Sequence, residues 1–86
     1  MYTILFSTQA RKDAKKLTRS HLRSKCEMLL TLIAKDPYVS PPLYEQLIGD
    51  FSGLISRRIN VQHRIVYEVD TFDKQIKVHR MWTHYE

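Results

Sequence analysis

Residues 54–59 and 63–69 alternate in period two around a short polar break, the pattern of half-buried strands in an antiparallel hairpin. Counting along the first strand sets Ile55 and Ile59 on one face and Leu54, Ser56 and Arg58 on the other. On the second strand Ile65, Tyr67 and Val69 oppose Arg64, Val66 and Glu68. A connection as short as residues 60–62 pairs the strands antiparallel, bringing Arg58 and Arg64 together on the face away from the core. Two adjacent guanidiniums repel unless something anionic sits between them, and the planar Arg fork suits phosphate. The same pair also fits a solvated sheet face, or neutralisation by Glu68 and Asp50.

The rest of the 86-residue chain limits what can surround that hairpin. With 43% hydrophobic residues it makes one domain, residues 1–86, with a thin core. Two Gly, three Pro and no low-complexity run leave little room for disorder outside one loop. No apolar run approaches the ~18 residues that cross a bilayer, and the N-terminus lacks a signal-peptide layout. The expectation is a cytoplasmic protein with no membrane partner. Cys26 is the only cysteine and sits on an apolar helical stripe, so core packing is its expected role. Fourteen Lys plus Arg against nine Asp plus Glu give a net charge of +5, which favours encounter with a polyanion.

Residues 2–6 read as a short strand, and either Ser7 or Thr8 can cap the helix that follows over residues 9–18. Ala10, Ala14 and Leu17 form its apolar stripe, flanked by Arg11, Lys12, Lys15 and Lys16 with only Asp13 in opposition. This flank is either a solvated face or a surface for a polyanion. A second helix is expected over residues 20–34, carrying Leu22, Cys26, Leu29, Leu30 and Ile33 at helical spacing. Asp36, Pro37, Pro41 and Pro42 then give an irregular loop to about Tyr44, and Ser52 and Gly53 start the sheet proper. A last strand over residues 75–82 follows the turn at residues 70–74. The expected order is β-α-α-β-β-β, an α+β fold with a twisted, mostly antiparallel sheet, two helices on one face and an open basic face on the other.

His21, His63, His79 and His84 lack metal-ligand spacing, and no Cys or carboxylate cluster accompanies them, so neither metal nor cofactor is expected. What remains suits RNA cleavage. Splitting a phosphodiester through its own 2′-hydroxyl needs a base for that proton, an acid for the departing 5′-oxygen, and cations for the phosphate. Glu45, on the loop ahead of the sheet, can be the base, His84 the acid, and Arg58 and Arg64 the phosphate ligands. Tyr85 can stack on a base or orient the phosphate. Strict alternation from Ile76 and Val78 would turn Arg80, Trp82 and His84 inward, so a bulge or strand end is required to bring His84 to the open face.

The block SGLISRRINVQHRIVY, followed at the end by HY, resembles the YoeB/Txe branch of the RelE toxin superfamily. The resemblance implies a ribosome-dependent endoribonuclease that cuts mRNA in the A site, works without a metal, and is neutralised by a YefM/Phd-type antitoxin. It implies Glu45 as general base, Arg58 and Arg64 at the phosphate and transition state, His84 as general acid and Tyr85 as the closing tyrosine. Arg57, His63, Lys12, Lys15 and Lys16 join them as expected RNA contacts. Where that family usually shows Gly-Lys-Pro-Glu-Pro-Leu, residues 42–47 read Pro-Leu-Tyr-Glu-Gln-Leu. Lacking a helix-turn-helix, the chain would reach operator DNA only through the antitoxin. A second copy of the chain is a further candidate partner. The alternative is a binding toxin on the same fold that blocks the ribosome or gyrase without cutting. A matched acid and base favours cutting, because a blocker needs charge only.

Overall fold

The computed structural model describes residues 1–49 and 53–81. Among them the order is β1 (Thr3–Phe6), α1 (Thr8–Thr18), α2 (Arg23–Lys35), β2 (Tyr44–Gln46), β3 (Ile55–Arg58), β4 (Arg64–Asp70) and β5 (Gln75–Arg80). One sheet runs β1-β5-β4-β3-β2. Strands β2 to β5 form an antiparallel meander, and β1 lies parallel to β5 at the far edge. The α+β architecture is the expected one. The sheet has one more strand than expected, because residues 44–46 pair with β3 instead of staying in the loop. Three residues are too few to carry a period-two signal, and the prolines just before them read as loop.

Helix α1 begins at Ser7, whose Oγ accepts from the Ala10 amide at 3.0 Å and donates to the His79 carbonyl at 2.9 Å. One hydroxyl therefore caps the helix and fastens it to β5. Helix α2 starts at Arg23, not near Ser20. Ser20 is spent on the turn instead, its Oγ donating to the Leu17 carbonyl and accepting from the Leu22 amide. No side chain caps α2, so its first turn is fixed by Leu22 and Cys26 entering the core.

Helix-side residues Ala10, Leu17, Leu22, Cys26, Leu29 and Ile33 pack on Ile55, Ile59, Ile65, Tyr67, Ile76 and Val78 from the sheet. Burial pushes the Cys26 thiol up to about 11, with the Glu27 charge adding to it, so this sulfur is inert packing. Two turns are closed by side-chain carboxyl or amide oxygens. Asn60 Oδ1 accepts from the Gln62 and His63 amides between β3 and β4, and Asp70 Oδ1 from the Phe72 and Asp73 amides between β4 and β5.

The parity expected of the last strand changes inside β5. Tyr67 faces Val78 but Val66 faces Arg80, so His79 is an extra residue and the ladder is bulged there. After Ile76 and Val78, the next residue in the core is Met81, not Arg80. The strand is therefore bulged at His79, and the bulge or strand end required to turn His84 lies outside the described residues. His84 and Tyr85, with Trp82 and Ser52, lie outside the described residues. No helix among the described residues is long and apolar enough to cross a membrane.

Candidate active site

The residues of interest gather on the sheet face turned away from the helices. Arg58 and Arg64 are direct cross-strand partners, so their side chains share that face as the hairpin pattern requires. Glu45 is paired with Ser56, and Ser56 with Val66, which adds a second row beside the first. Arg64 Nη1 donates to Glu45 Oε2 at 3.5 Å and to Ser56 Oγ at 3.4 Å. Both contacts are long. Glu45, 62% exposed, is open to solvent, while Arg64 at 21% is partly covered. Pro42, Leu43, Tyr44, Glu45, Ser56, Arg58 and Arg64 line a cleft of about 470 Å³.

Strand β2 is what delivers Glu45 to this cleft. Alternation turns Tyr44 toward the helix side and Glu45 away from it, and pairing with β3 holds that register. The carboxylate therefore belongs to a strand, not to the loop expected from the prolines. Ser56 was read on the correct face but not as part of the site. Its signal lay in the sequence, since it shares the parity of Arg58. The face is also less bare than expected, because Ser56 and Val66 at its centre are only 3% and 1% exposed.

Arg57 does not share this face, so the expectation that it contacts RNA is corrected. It has the parity of Ile55 and Ile59 and is fully buried on the helix side. Its Nε donates to Tyr67 Oη at 2.8 Å, Nη1 to the Pro42 carbonyl, and Nη2 to the carbonyls of Pro37 at 3.1 Å and Val39 at 2.6 Å. The guanidinium also lies 4.7 Å from the centre of the Tyr44 ring. Lys12, Lys15 and Lys16 are exposed on α1, in the layer across the sheet from Arg58 and Arg64, so the structure does not bring them to the cleft. His63 sits in the β3–β4 turn one residue before Arg64, its carbonyl accepting from the Ile59 amide at 2.7 Å. Glu68, considered as a partner for the arginines, instead meets His79 Nε2 at 3.0 Å.

Asp13 is the other departure. Read as the lone acid in a solvated basic flank, it is fully buried on the inner side of α1. Its Oδ2 accepts from Arg80 Nε at 2.8 Å and from the Met81 amide at 3.1 Å, and its Oδ1 from Gln9 Nε2 at 3.1 Å. Burial alone would raise this carboxyl, but the bonds from Arg80, Met81 and Gln9 outweigh it and hold Asp13 below its usual value. Tyr67 moves the other way: burial pushes its phenol up, and the Arg57 contact only partly opposes that. Among the described residues, no three His, Cys, Asp or Glu side chains gather as metal ligands.

Two helices on one face of a five-stranded mixed sheet is the fold of the RelE-like bacterial toxins. The solved structure of a YoeB/ParE toxin from Agrobacterium tumefaciens superposes with a TM-score of 0.88 at 26% identity, covering 96% of this chain and 99% of that one. A YoeB–YefM toxin–antitoxin complex from Staphylococcus aureus matches with a TM-score of 0.82 at 34% identity and 99% coverage of both chains. A YoeB dimer from the same organism matches at 0.81 and 34%, covering 98% of each. Toxin YoeB of a Synechocystis strain is 40% identical over 48 residues, a match spanning 56% of this chain and 56% of that relative's length. The chain belongs to the YoeB-like toxins of bacterial type II toxin–antitoxin systems, whose family model matches residues 6–85.

Proposed function

We propose that this toxin is a ribosome-dependent endoribonuclease that cuts mRNA in the A site by acid–base catalysis and so stops translation. The observation that carries the reading is the cleft in which Glu45 stands 3.5 Å from Arg64, itself opposite Arg58. A phosphate seated between the two guanidiniums brings its 2′-hydroxyl within reach of the exposed Glu45 carboxylate. Glu45 takes the 2′-hydroxyl proton as the 2′-oxygen attacks phosphorus. Arg58 and Arg64 hold the extra charge that collects on the phosphate oxygens. The bond to the 5′-oxygen then breaks, leaving a cyclic phosphate, and His84 supplies the proton that completes a 5′-hydroxyl. Tyr85 is the proposed aid to substrate orientation, and His63 a flanking RNA contact.

Before substrate binds, Arg64 occupies itself with Glu45 through a long, solvent-exposed contact worth about 1 kcal/mol or less. An incoming phosphate can displace it at little cost, which leaves the carboxylate free to act as a base. The YoeB–YefM complexes and YoeB dimer of Staphylococcus aureus support a YefM-type antitoxin and a second copy of the chain as partners. Operator DNA would be reached through that antitoxin, and the site of action is the cytoplasm.

Primer extension on mRNA translated in a reconstituted bacterial system tests the reading with wild type, Glu45→Gln and His84→Gln. New ends within A-site codons that disappear in both variants are expected. Translation arrest without new ends would mean a ribosome blocker, and no arrest would send the target elsewhere.

A further inference from the structure

Arg57 is a buried cation that, among the described residues, forms no ion pair. Removing a charge from water costs several kcal/mol unless hydrogen bonds replace the lost hydration. Here three main-chain carbonyls and one phenol oxygen do so, and every carbonyl comes from residues 37–42. Tyr67 strengthens the arrangement, since its hydroxyl accepts from Arg57 and donates to the Pro37 carbonyl at 2.8 Å. The guanidinium thus gathers the carbonyls of an otherwise irregular segment, and its face packs on Tyr44, its cross-strand partner in β3–β2 pairing. Glu45 is the next residue. A slip of one position in this pairing would turn Glu45 to the helix side and Tyr44 to the cleft.

We infer that Arg57 is a positioning residue: it anchors residues 37–44 from the core side so that β2 holds Glu45 facing Arg64. The inference rests on the proposed role of Glu45 for its catalytic consequence, but not for the anchoring. Adjacent arginines on β3 then divide the labour by parity, Arg57 ordering the strand that bears the carboxylate and Arg58 meeting substrate on the opposite face. A Lys cannot substitute, because its three donors and single point of charge cannot serve the Pro37, Val39 and Pro42 carbonyls and the Tyr67 hydroxyl together.

Two measurements on the full chain test this. In amide hydrogen exchange, Arg57→Met and Arg57→Lys should lose protection at residues 44–46 while β4 and β5 keep theirs. Unchanged protection at 44–46, or equal loss across the sheet, overturns the anchoring. In single-turnover cleavage on ribosomes, Arg57→Met should slow the saturated rate by about 100-fold, as expected for a misplaced catalytic group, with half-saturation little changed. On a Glu45→Gln background the same change should add no further loss of rate. An equal loss on both backgrounds would show that Arg57 supports the fold in general and overturn its action through Glu45. Full activity of Glu45→Gln itself would instead overturn the base assignment, leaving the exchange data to decide the anchoring alone.

Discussion

Two carboxylate–arginine pairs, one fastening a helix to the sheet and one open on the sheet face away from the helices, are built in opposite ways. Asp13 and Arg80 meet at 2.8 Å around a carboxylate with no solvent exposure, and two further donors complete its coordination. Glu45 and Arg64 meet at 3.5 Å in the open, with Ser56 as a further, long contact to the arginine. The first pair joins α1 to the end of β5, and its carboxylate is closed off from solvent. The second is underused, and that is what a binding or catalytic group needs. Distance, burial and the number of bonds per oxygen separate a structural ion pair from a candidate site more sharply than residue type does.

The largest expected effect falls on the loose pair. Glu45→Gln should lower the cleavage rate by roughly 10²- to 10⁴-fold, the usual contribution of a general base, while changing stability by no more than about 0.5 kcal/mol. Single-turnover cleavage and urea unfolding on the same preparation check both halves, and a large loss of stability would erase the contrast between the pairs. Asp13→Ala should show the reverse pattern in unfolding experiments. Leaving Arg80 half-buried without its partner should cost about 3 kcal/mol. Should Asp13→Ala instead remain as stable as wild type, the tight pair would have no structural role.

Acid sharpens the comparison. Asp13 has a folded-state pKa below its unfolded value, so its contribution is fully present above the unfolded value and is lost as pH falls through the folded one. The stability gap between wild type and Asp13→Asn should therefore be widest near neutrality and should close below pH 3.8. Thermal midpoints of both proteins across that range measure it, and a gap that widened in acid would contradict the sign. Arg58→Ala, by contrast, should leave the fold alone and weaken RNA binding by roughly 1–2 kcal/mol regardless of sequence, reducing the slope of log affinity against log salt by about 1. The smallest effect is expected from neutralising Lys12, Lys15 and Lys16 together. Ribosome affinity should fall modestly while the cleavage rate at saturation stays unchanged, as befits charges across the sheet from the cleft.

Much of this was legible before any coordinates, wherever a pattern repeats. Period two across β3 and β4 gave the pairing of Arg58 with Arg64, and helical spacing gave the inner faces of α1 and α2. Features fixed by single long-range contacts were not legible. Strand β2 is held by its pairing with β3, with Tyr44 against Arg57, and its length of three residues leaves no period to read. Asp13 reads as a surface residue until β5 supplies Arg80, 67 positions away. For Arg57 the alternation itself held the answer: its parity with Ile55 and Ile59 marked it as inward, and its positive charge drew it into the RNA-contacting set instead.

The pairing of β1 with β5 has a consequence for how the toxin is made. Among the described residues, β5 is the sole sheet neighbour of residues 3–6, and the Ser7 hydroxyl that starts α1 also ends on His79. During synthesis β1 must therefore wait, unpaired, for a strand some 72 positions later. A chain that has not reached residue 75 cannot close this sheet, so β1 and the start of α1 stay undocked until β5 has been made.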